Sequence, residues 1–304
     1  MESTNSFLRT VLARVRFLLD DPDVDAKYSD DYIVRHCITP AMVDVVSRIN
    51  NTSQAQVLLK FDITLSDDVN SYKLPPCVHE VLRVVVLNED DLEVLQDLLP
   101  RDRMDYRGKN WSVEGFPGSL TLRTGNVITN TESIQVWYIS NGDVMPHTGT
   151  GSLAVDLETF TLAASPTLGA LDRRPNSYTG QVLRLIPASG AVEERLIATH
   201  IKDGSNWVIT VDPPFTENTT GSILYEVAPV GSQPLMQAIA VWAAMQVGTA
   251  RKITGVHMDR LRIMYIQALK TIGDNMTAMQ SRVPHHFVKS TVDNPYINSR
   301  GWNV

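Results

Sequence analysis

Asp203-Gly204-Ser205-Asn206-Trp207-Val208-Ile209-Thr210-Val211 is the stretch that decides how the middle of this chain folds. Asp-Gly supplies the positive φ of a tight hairpin turn, because glycine has no Cβ to clash in the left-handed region. After the turn, Trp207, Ile209 and Val211 alternate with Val208 and Thr210, the period of two that turns one row of side chains inward. The pattern predicts an antiparallel hairpin with a half-buried second strand.

The same texture, rich in Gly, Thr, Ser and Pro, extends over residues 141–228, with further strands expected at 159–163, 181–186, 195–201 and 223–227. This segment reads as an inserted antiparallel β domain, sandwich-like or barrel-like. Within it, Gly149-Thr150-Gly151-Ser152 lacks the lysine and the strand-turn-helix setting of a phosphate cradle and reads as loop glycines.

Upstream the pattern is helical. Phe7, Leu8, Val11, Leu12, Val15, Leu18 and Leu19 recur at three- and four-residue spacing, with Arg9, Arg14 and Arg16 on another face. Asp20-Asp21-Pro22-Asp23 is the expected stop, since proline cannot continue the helical ladder. Ser29 is placed to cap a second helix, with Asp30 and Asp31 in its first turn. Thr39-Pro40 then predicts a kink or break, Thr39 capping a new segment with Pro40 at its first position. Short apolar runs at 57–63, 72–74, 81–87, 120–123 and 133–140 predict a small β region, with a short helix at 90–99.

Downstream, Leu235, Met236, Ile239, Trp242, Ala243 and Val247 share one helical face. A last helix is expected over 256–279, with the stripe Met258, Leu261, Tyr265, Ala268, Leu269, Ile272, Met276 and Met279 suited to packing on another long helix. The expected fold class is α+β. A helical bundle from the N- and C-terminal helices, with the small β region, occupies 1–140 and 229–282; the β domain is inserted at 141–228; an extended C-terminal arm covers 283–304. Phe287, Tyr296, Ile297 and Trp302 punctuate that polar arm and are the candidates for contact with a neighbouring subunit.

A formal net charge of −7 argues against a surface whose main task is gripping phosphates. The C-terminal helices are nonetheless locally basic. Arg251, Lys252 and Arg260 are candidates for facing DNA in a channel, the competing account being a solvated face or an intersubunit salt-bridge strip. Cys37 and Cys77 are the only cysteines, with no CxxC, so they read as small core residues in a reducing compartment. The apolar run at 238–245 falls well short of the ~20 residues that span a bilayer, and arginines interrupt residues 1–19, so neither a membrane span nor a cleaved leader is expected.

No GxSxG elbow and no metal-binding spacing of His and Cys occurs; His285-His286 is the only adjacent histidine pair. Glu193-Glu194 and Asp67-Asp68 read as surface charges, because neighbours on a strand do not face each other across a sugar. The expectation is no catalytic residue, no metal and no cofactor.

The order Leu8-Arg9 through Leu18-Leu19-Asp20-Asp21, then Tyr28-Ser29-Asp30-Asp31, then Tyr72-Lys73-Leu74-Pro75-Pro76 leading into Val81-Leu82-Arg83-Val84, resembles the head-to-tail adaptor (connector, neck) proteins of tailed bacteriophages. The likeness covers residues 7–140 and 232–280. The middle segment, from Gly169-Ala170-Leu171-Asp172-Arg173-Arg174-Pro175-Asn176 to Val211-Asp212-Pro213-Pro214-Phe215, is similar to β modules of phage virion proteins. Simple adaptors lack so large an insertion.

The adaptor resemblance implies a non-enzymatic virion protein, made in the bacterial host cytoplasm and sited in the virion neck. It implies an oligomeric ring, commonly dodecameric, docked beneath the portal protein, where it extends the DNA channel for genome ejection. Its implied partners are further copies of itself, the portal, tail or nozzle proteins and, transiently and non-specifically, packaged DNA; the arm residues would contact a neighbour or the portal. The alternative expectation is a tail-tip or receptor-binding virion protein whose β domain binds a glycan.

Overall fold

The computed structural model describes residues 6–21, 27–52, 57–64, 69–87, 94–97, 99–100, 110–124, 133–187, 192–216, 221–229 and 235–280. The arm residues Phe287, Tyr296, Ile297 and Trp302 lie outside them.

Helix α1 (Phe7–Leu19) forms as its spacing dictates: Phe7, Leu8, Val11, Leu12, Val15 and Leu19 are buried on one side. It stops at Asp20, which adopts the left-handed conformation at φ 50°, while the Asp21 amide donates back to Arg16 O at 3.1 Å. Helix α2 (Asp30–Ile33) starts at Ser29, whose hydroxyl accepts the Tyr32 amide at 3.2 Å.

The expected break at Pro40 does not occur. A π turn (Val34–Ile38) joins α2 directly to α3 (Thr39–Thr52), and Thr39 is helical rather than a cap. Proline has no amide and its ring crowds the carbonyl four residues back; widening the preceding turn accommodates both, and the Thr39 amide and hydroxyl both donate to Val34 O.

Eight strands follow: β1 (Leu58–Thr64), β2 (Ser71–Lys73), β3 (Val78–Leu87), β4 (Val94–Asp97), β5 (Leu99–Pro100), β6 (Asn110–Glu114), β7 (Thr121–Thr124) and β8 (Ser133–Ser140). They build two four-stranded sheets, ordered β1-β8-β3-β4 and β2-β7-β6-β5. Of the helix expected at 90–99, residues 90–93 and 98 lie outside the described residues, and 94–97 form β4, antiparallel to β3, with Leu99 in β5. The leucine spacing there suits a helix in isolation, but the open edge of β3 offers a ladder that overrides local preference.

The remaining strands are β9 (His147–Leu153), β10 (Thr159–Thr161), β11 (Leu168–Gly169), β12 (Val182–Ile186), β13 (Glu193–Asp203), β14 (Asn206–Asp212) and β15 (Ile223–Ala228). They run β10-β14-β13-β12-β15-β9, and β10 also pairs with β9, so these strands close into a six-stranded antiparallel barrel with β11 appended to β9. Gly204 turns the β13–β14 hairpin at φ 57°, as Asp203-Gly204 predicts. A bulge at Ala198, between Ile197 and Thr199, bends the long β13 around the barrel.

Gly149 and Gly151 are strand residues of β9, not loop glycines. A Cβ at Gly151 would lie 2.3 Å from Thr161 O and 2.6 Å from Phe160 Cε1, so only glycine lets β10 close the seam there.

The chain ends its described part in α4 (Met236–Ala250) and α5 (Val256–Gln280). Helix α4 is mostly apolar and largely buried, with Gln237, Gln246 and Thr249 exposed, and packs against α1, α3, the π turn and α5. Helix α5 buries Met258, Leu261, Tyr265, Ala268 and Ile272 and leaves Val256, Ile263 and Ile266 exposed. One continuous hydrophobic core runs from these helices through the sheets into the barrel. Among the described residues no helix is long and apolar enough to cross a membrane.

Candidate functional site

Buried charges mark the junction between barrel and helices. On the outer face of the barrel, Glu226 of β15 stands opposite Arg184 of β12, and Arg184 stands opposite Glu194 of β13. The N-terminus of helix α1 covers the Glu226 end of this row, while Glu194 at the other end is half exposed. The Glu226 carboxylate, 0% exposed, accepts Ser6 Oγ at 2.6 Å, the Leu8 amide at 2.8 Å and the Phe7 amide at 3.1 Å, while Arg184 Nη1 donates to it at 3.3 Å. The first amides of a helix have no intrahelical acceptor and lie at its positive end, so a carboxylate satisfies both needs. Arg184 also pairs with Glu194.

At the other end of α1, Arg16 donates to Asp21 at 3.0 Å, to Tyr28 O at 2.8 Å and to Asp30 at 2.5 Å. Arg251, just past α4, reaches the same buried Asp21 at 3.3 Å. Of the candidate DNA-facing residues, Arg251 is therefore engaged within the chain, in an ion pair with Asp21. Lys252, in the left-handed conformation at φ 59°, and Arg260 on α5 are both exposed to solvent.

A third tie joins the loop before the barrel to the segment between β11 and β12. Arg174 grips the buried Asp172 with Nε at 3.0 Å and Nη2 at 2.6 Å, and Asp143 with Nη1 at 3.0 Å. Both cysteines are buried and free; Cys77 Sγ lies 3.6 Å from Tyr138 Oη and 3.5 Å from Gln181 Nε2, and burial pushes both thiols up to about 11.

Rings fill the barrel. Phe160–Tyr225 (5.2 Å), Tyr225–His147 (5.5 Å), His147–Tyr178 (5.2 Å), Tyr178–His200 (4.6 Å) and His200–Trp207 (4.6 Å) form one continuous column of centroids. Tyr178 Oη accepts the Asp172 amide at 2.6 Å and lies 3.2 Å from His147 Nδ1; His147 Nδ1 is also 3.3 Å from Met145 O. Ser177 Oγ sits 3.0 Å from His200 Nδ1. Among the described residues neither His147 Nε2 nor His200 Nε2 has a hydrogen-bond partner, a deficit of about 1–3 kcal/mol for each buried polar group. Burial holds both imidazoles down to about 4, opposed only in part by the Met145 carbonyl and Asp172 at His147 and by Asp172 and the Arg174 carbonyl at His200.

Ser177 and His200 are the residue types of a nucleophile and its base, but they meet through Nδ1, with no group on Nε2 to orient the ring. Both are buried, so the contact is a packed hydrogen bond. Among the described residues no three His, Cys, Asp or Glu side chains gather as a metal set. A cavity of about 20 Å³ beside Met42, Val46, Leu59, Val144 and Ile239 is mostly apolar and has room for about one water.

Sequence reasoning did not reach Glu226, Arg184, Asp172 or the two barrel histidines as a connected set. Its available signal was Glu226 standing in the apolar run Ile223-Leu224-Tyr225-Glu226-Val227-Ala228. A charge in such a run requires a buried partner, but nothing local says which. No family model matches this chain, and no curated protein matches it.

Proposed function

We propose that this chain is a non-enzymatic structural subunit of a tailed-phage particle, a head-to-tail adaptor in the virion neck. Copies assemble into a ring beneath the portal, extend the DNA channel and dock tail proteins. The observation that carries the reading is the fixed mounting of the barrel: Glu226 clamps it to the start of α1, and Arg174 clamps its β11–β12 segment to Asp143. A subunit that passes force and position between two assemblies needs its modules held in one orientation, and buried ionic ties provide that.

The helical layer supplies the proposed ring wall. Ile263 and Ile266 on the outer side of α5, with Arg260 beside them, are exposed surface for a neighbouring copy. Residues 283–304, with Phe287, Tyr296, Ile297 and Trp302, are proposed to reach a neighbour or the portal as an arm. Lys252 and Arg260 would give DNA a weak contact on an otherwise acidic protein.

Electron microscopy of the full-length protein mixed with its portal tests this. A ring, alone or on the portal, is the expected result; monomers that never join the portal would end the proposal. The glycan-binding alternative gains no support from the barrel, whose Phe160, Tyr178 and Tyr225 rings are buried rather than presented to a sugar.

A further inference from the structure

Strands β9 and β13 are three steps apart around the barrel in either direction, so they form opposite walls. His147 belongs to β9 and His200 to β13, and the Tyr178 ring lies against both, at 5.2 Å and 4.6 Å. Tyr178 comes from neither wall. It is carried by residues 170–181, which join β11 to β12 and belong to no strand. The segment therefore inserts a ring into the lumen, and the two histidines clasp it from both sides.

We propose that Tyr178 and the segment carrying it form a proton-operated plug, which leaves the barrel when His147 and His200 are protonated in mild acid and so opens the barrel interior.

The surroundings make a second proton on either ring costly. Among the described residues neither Nε2 has a hydrogen-bond partner, so a second proton makes a buried cation that only the backbone carbonyls of Met145 and Arg174, beside His147 and His200, help to offset. From β15 the His147 ring meets Tyr225, and from β14 the His200 ring meets Trp207, neither of them charged. From the plug segment come Ser177, Tyr178, Asp172 and Arg174. Asp172 is the only carboxylate of this set, and Arg174 already holds both of its oxygens while also binding Asp143 from the preceding loop. Two imidazolium ions would then flank Tyr178 in a buried interior.

The plug is the part that yields. Strand β9 is laddered to β15 and β13 to β14, whereas residues 176–181 belong to no strand and lie along the other edge of β13 through the Asn176 amide to His200 O (2.7 Å), the Gly180 amide to Ile197 O (2.8 Å) and the Ile197 amide to Gln181 O (2.8 Å). Opening exposes the imidazoles to water, where they regain their ordinary basicity near 6.5 rather than about 4. Between pH 7.5 and pH 5.0 that difference favours opening by about thirtyfold for each histidine.

Amide hydrogen exchange of the full-length protein at these two pH values, corrected for intrinsic rates, tests the device. Amides of residues 176–181 are expected to exchange more than tenfold faster at pH 5.0, while the β12–β15 ladder keeps its protection. The H147Q/H200Q double variant should lose this pH dependence. Plug amides within twofold at the two pH values, or plug and ladder losing protection together, would overturn the proposal. Should the double variant fail to fold, imidazole titration of the wild-type protein by NMR decides. Both midpoints displaced below 6, moving with plug exchange, support the plug; midpoints near 6.5 with unchanged exchange reject it.

Discussion

Glu226 Oε1 accepts a hydrogen bond from Ser6 Oγ at 2.6 Å across 220 positions of sequence, joining the last strand of the barrel to the first turn of the first helix. The same carboxylate takes two helix amides and faces Arg184. Replacing Glu226 with Ala leaves those donors buried without an acceptor and should cost about 3 kcal/mol. Ser6→Ala, which removes one hydroxyl and a cap, should cost about 1 kcal/mol. Urea unfolding of both variants measures the difference, and a Ser6 variant weaker than the Glu226 variant would mean the carboxylate is not the anchor.

Closure of the barrel rests on Gly151. Gly151→Ala would drive a methyl into Thr161 O and the Phe160 ring, and should destabilise by about 3 kcal/mol or more. Gly204→Ala has open space around it and only positive φ against it, so a loss of about 1 kcal/mol is expected. Thermal melts of the two variants should differ by many degrees; equal melting temperatures would place the seam elsewhere.

Two faces of α5 should respond differently. Leu261→Ala removes a buried side chain next to Met258 and Tyr265 and should cost about 2–5 kcal/mol. Ile263→Ser and Ile266→Ser, on the exposed side, should change monomer stability by less than about 0.5 kcal/mol. If they also abolish ring formation seen by electron microscopy, that face is the interface; intact rings would move the interface to another surface.

Adjacent basic residues after α4 should part company. Arg251→Gln removes a partner of the buried Asp21 and should destabilise by about 1–2 kcal/mol, Arg16 retaining its own bond. Lys252→Gly relieves a left-handed backbone at φ 59° and should stabilise by about 0.5–1 kcal/mol. Both signs are readable in one denaturation series, and a destabilising Lys252→Gly would show that its side chain is needed.

Total stability should weaken in acid. His147 and His200 are held at about 4 by burial against 6.5 when unfolded, so between these values the unfolded chain binds more protons. Their contribution is complete above pH 6.5, falls as pH drops towards 4 and is flat below, amounting to about 3 kcal/mol for each. Denaturant midpoints from pH 4 to 7.5 check this, and H200Q should flatten the curve. An unchanged slope in that variant would assign the acid limb to other groups.

Much of the architecture was legible because it is local. The apolar side of α1, the Ser29 cap and the Asp203-Gly204 turn depend on residues within a few positions of one another and appear as read, whereas Arg16, expected on another face with Arg9 and Arg14, is buried because Asp21, Asp30 and Tyr28 O take its guanidinium. Misreadings arose where a distant segment outweighed a local pattern. The 90–99 stretch has helical spacing, but the edge of β3 recruits Val94–Asp97 as a strand. Gly149 and Gly151 look like loop residues until Tyr225 and Phe160 arrive against them. Thr39-Pro40 reads as a kink or break, but a π turn makes room and the helix continues without a break.

The sequence by itself determined the succession of helices, short strands, the antiparallel strands of the middle segment and the final helices, since hydrophobic period and turn chemistry act over a few residues. Only the tertiary structure decided that β10 meets β9 to close a barrel, that Glu226 caps α1, that Asp21 holds Arg251, and that His147 and His200 clasp Tyr178. A buried polar group must find a partner, and that requirement is written at its own position. Which partner it finds depends on segments as far as 220 residues away being packed into contact.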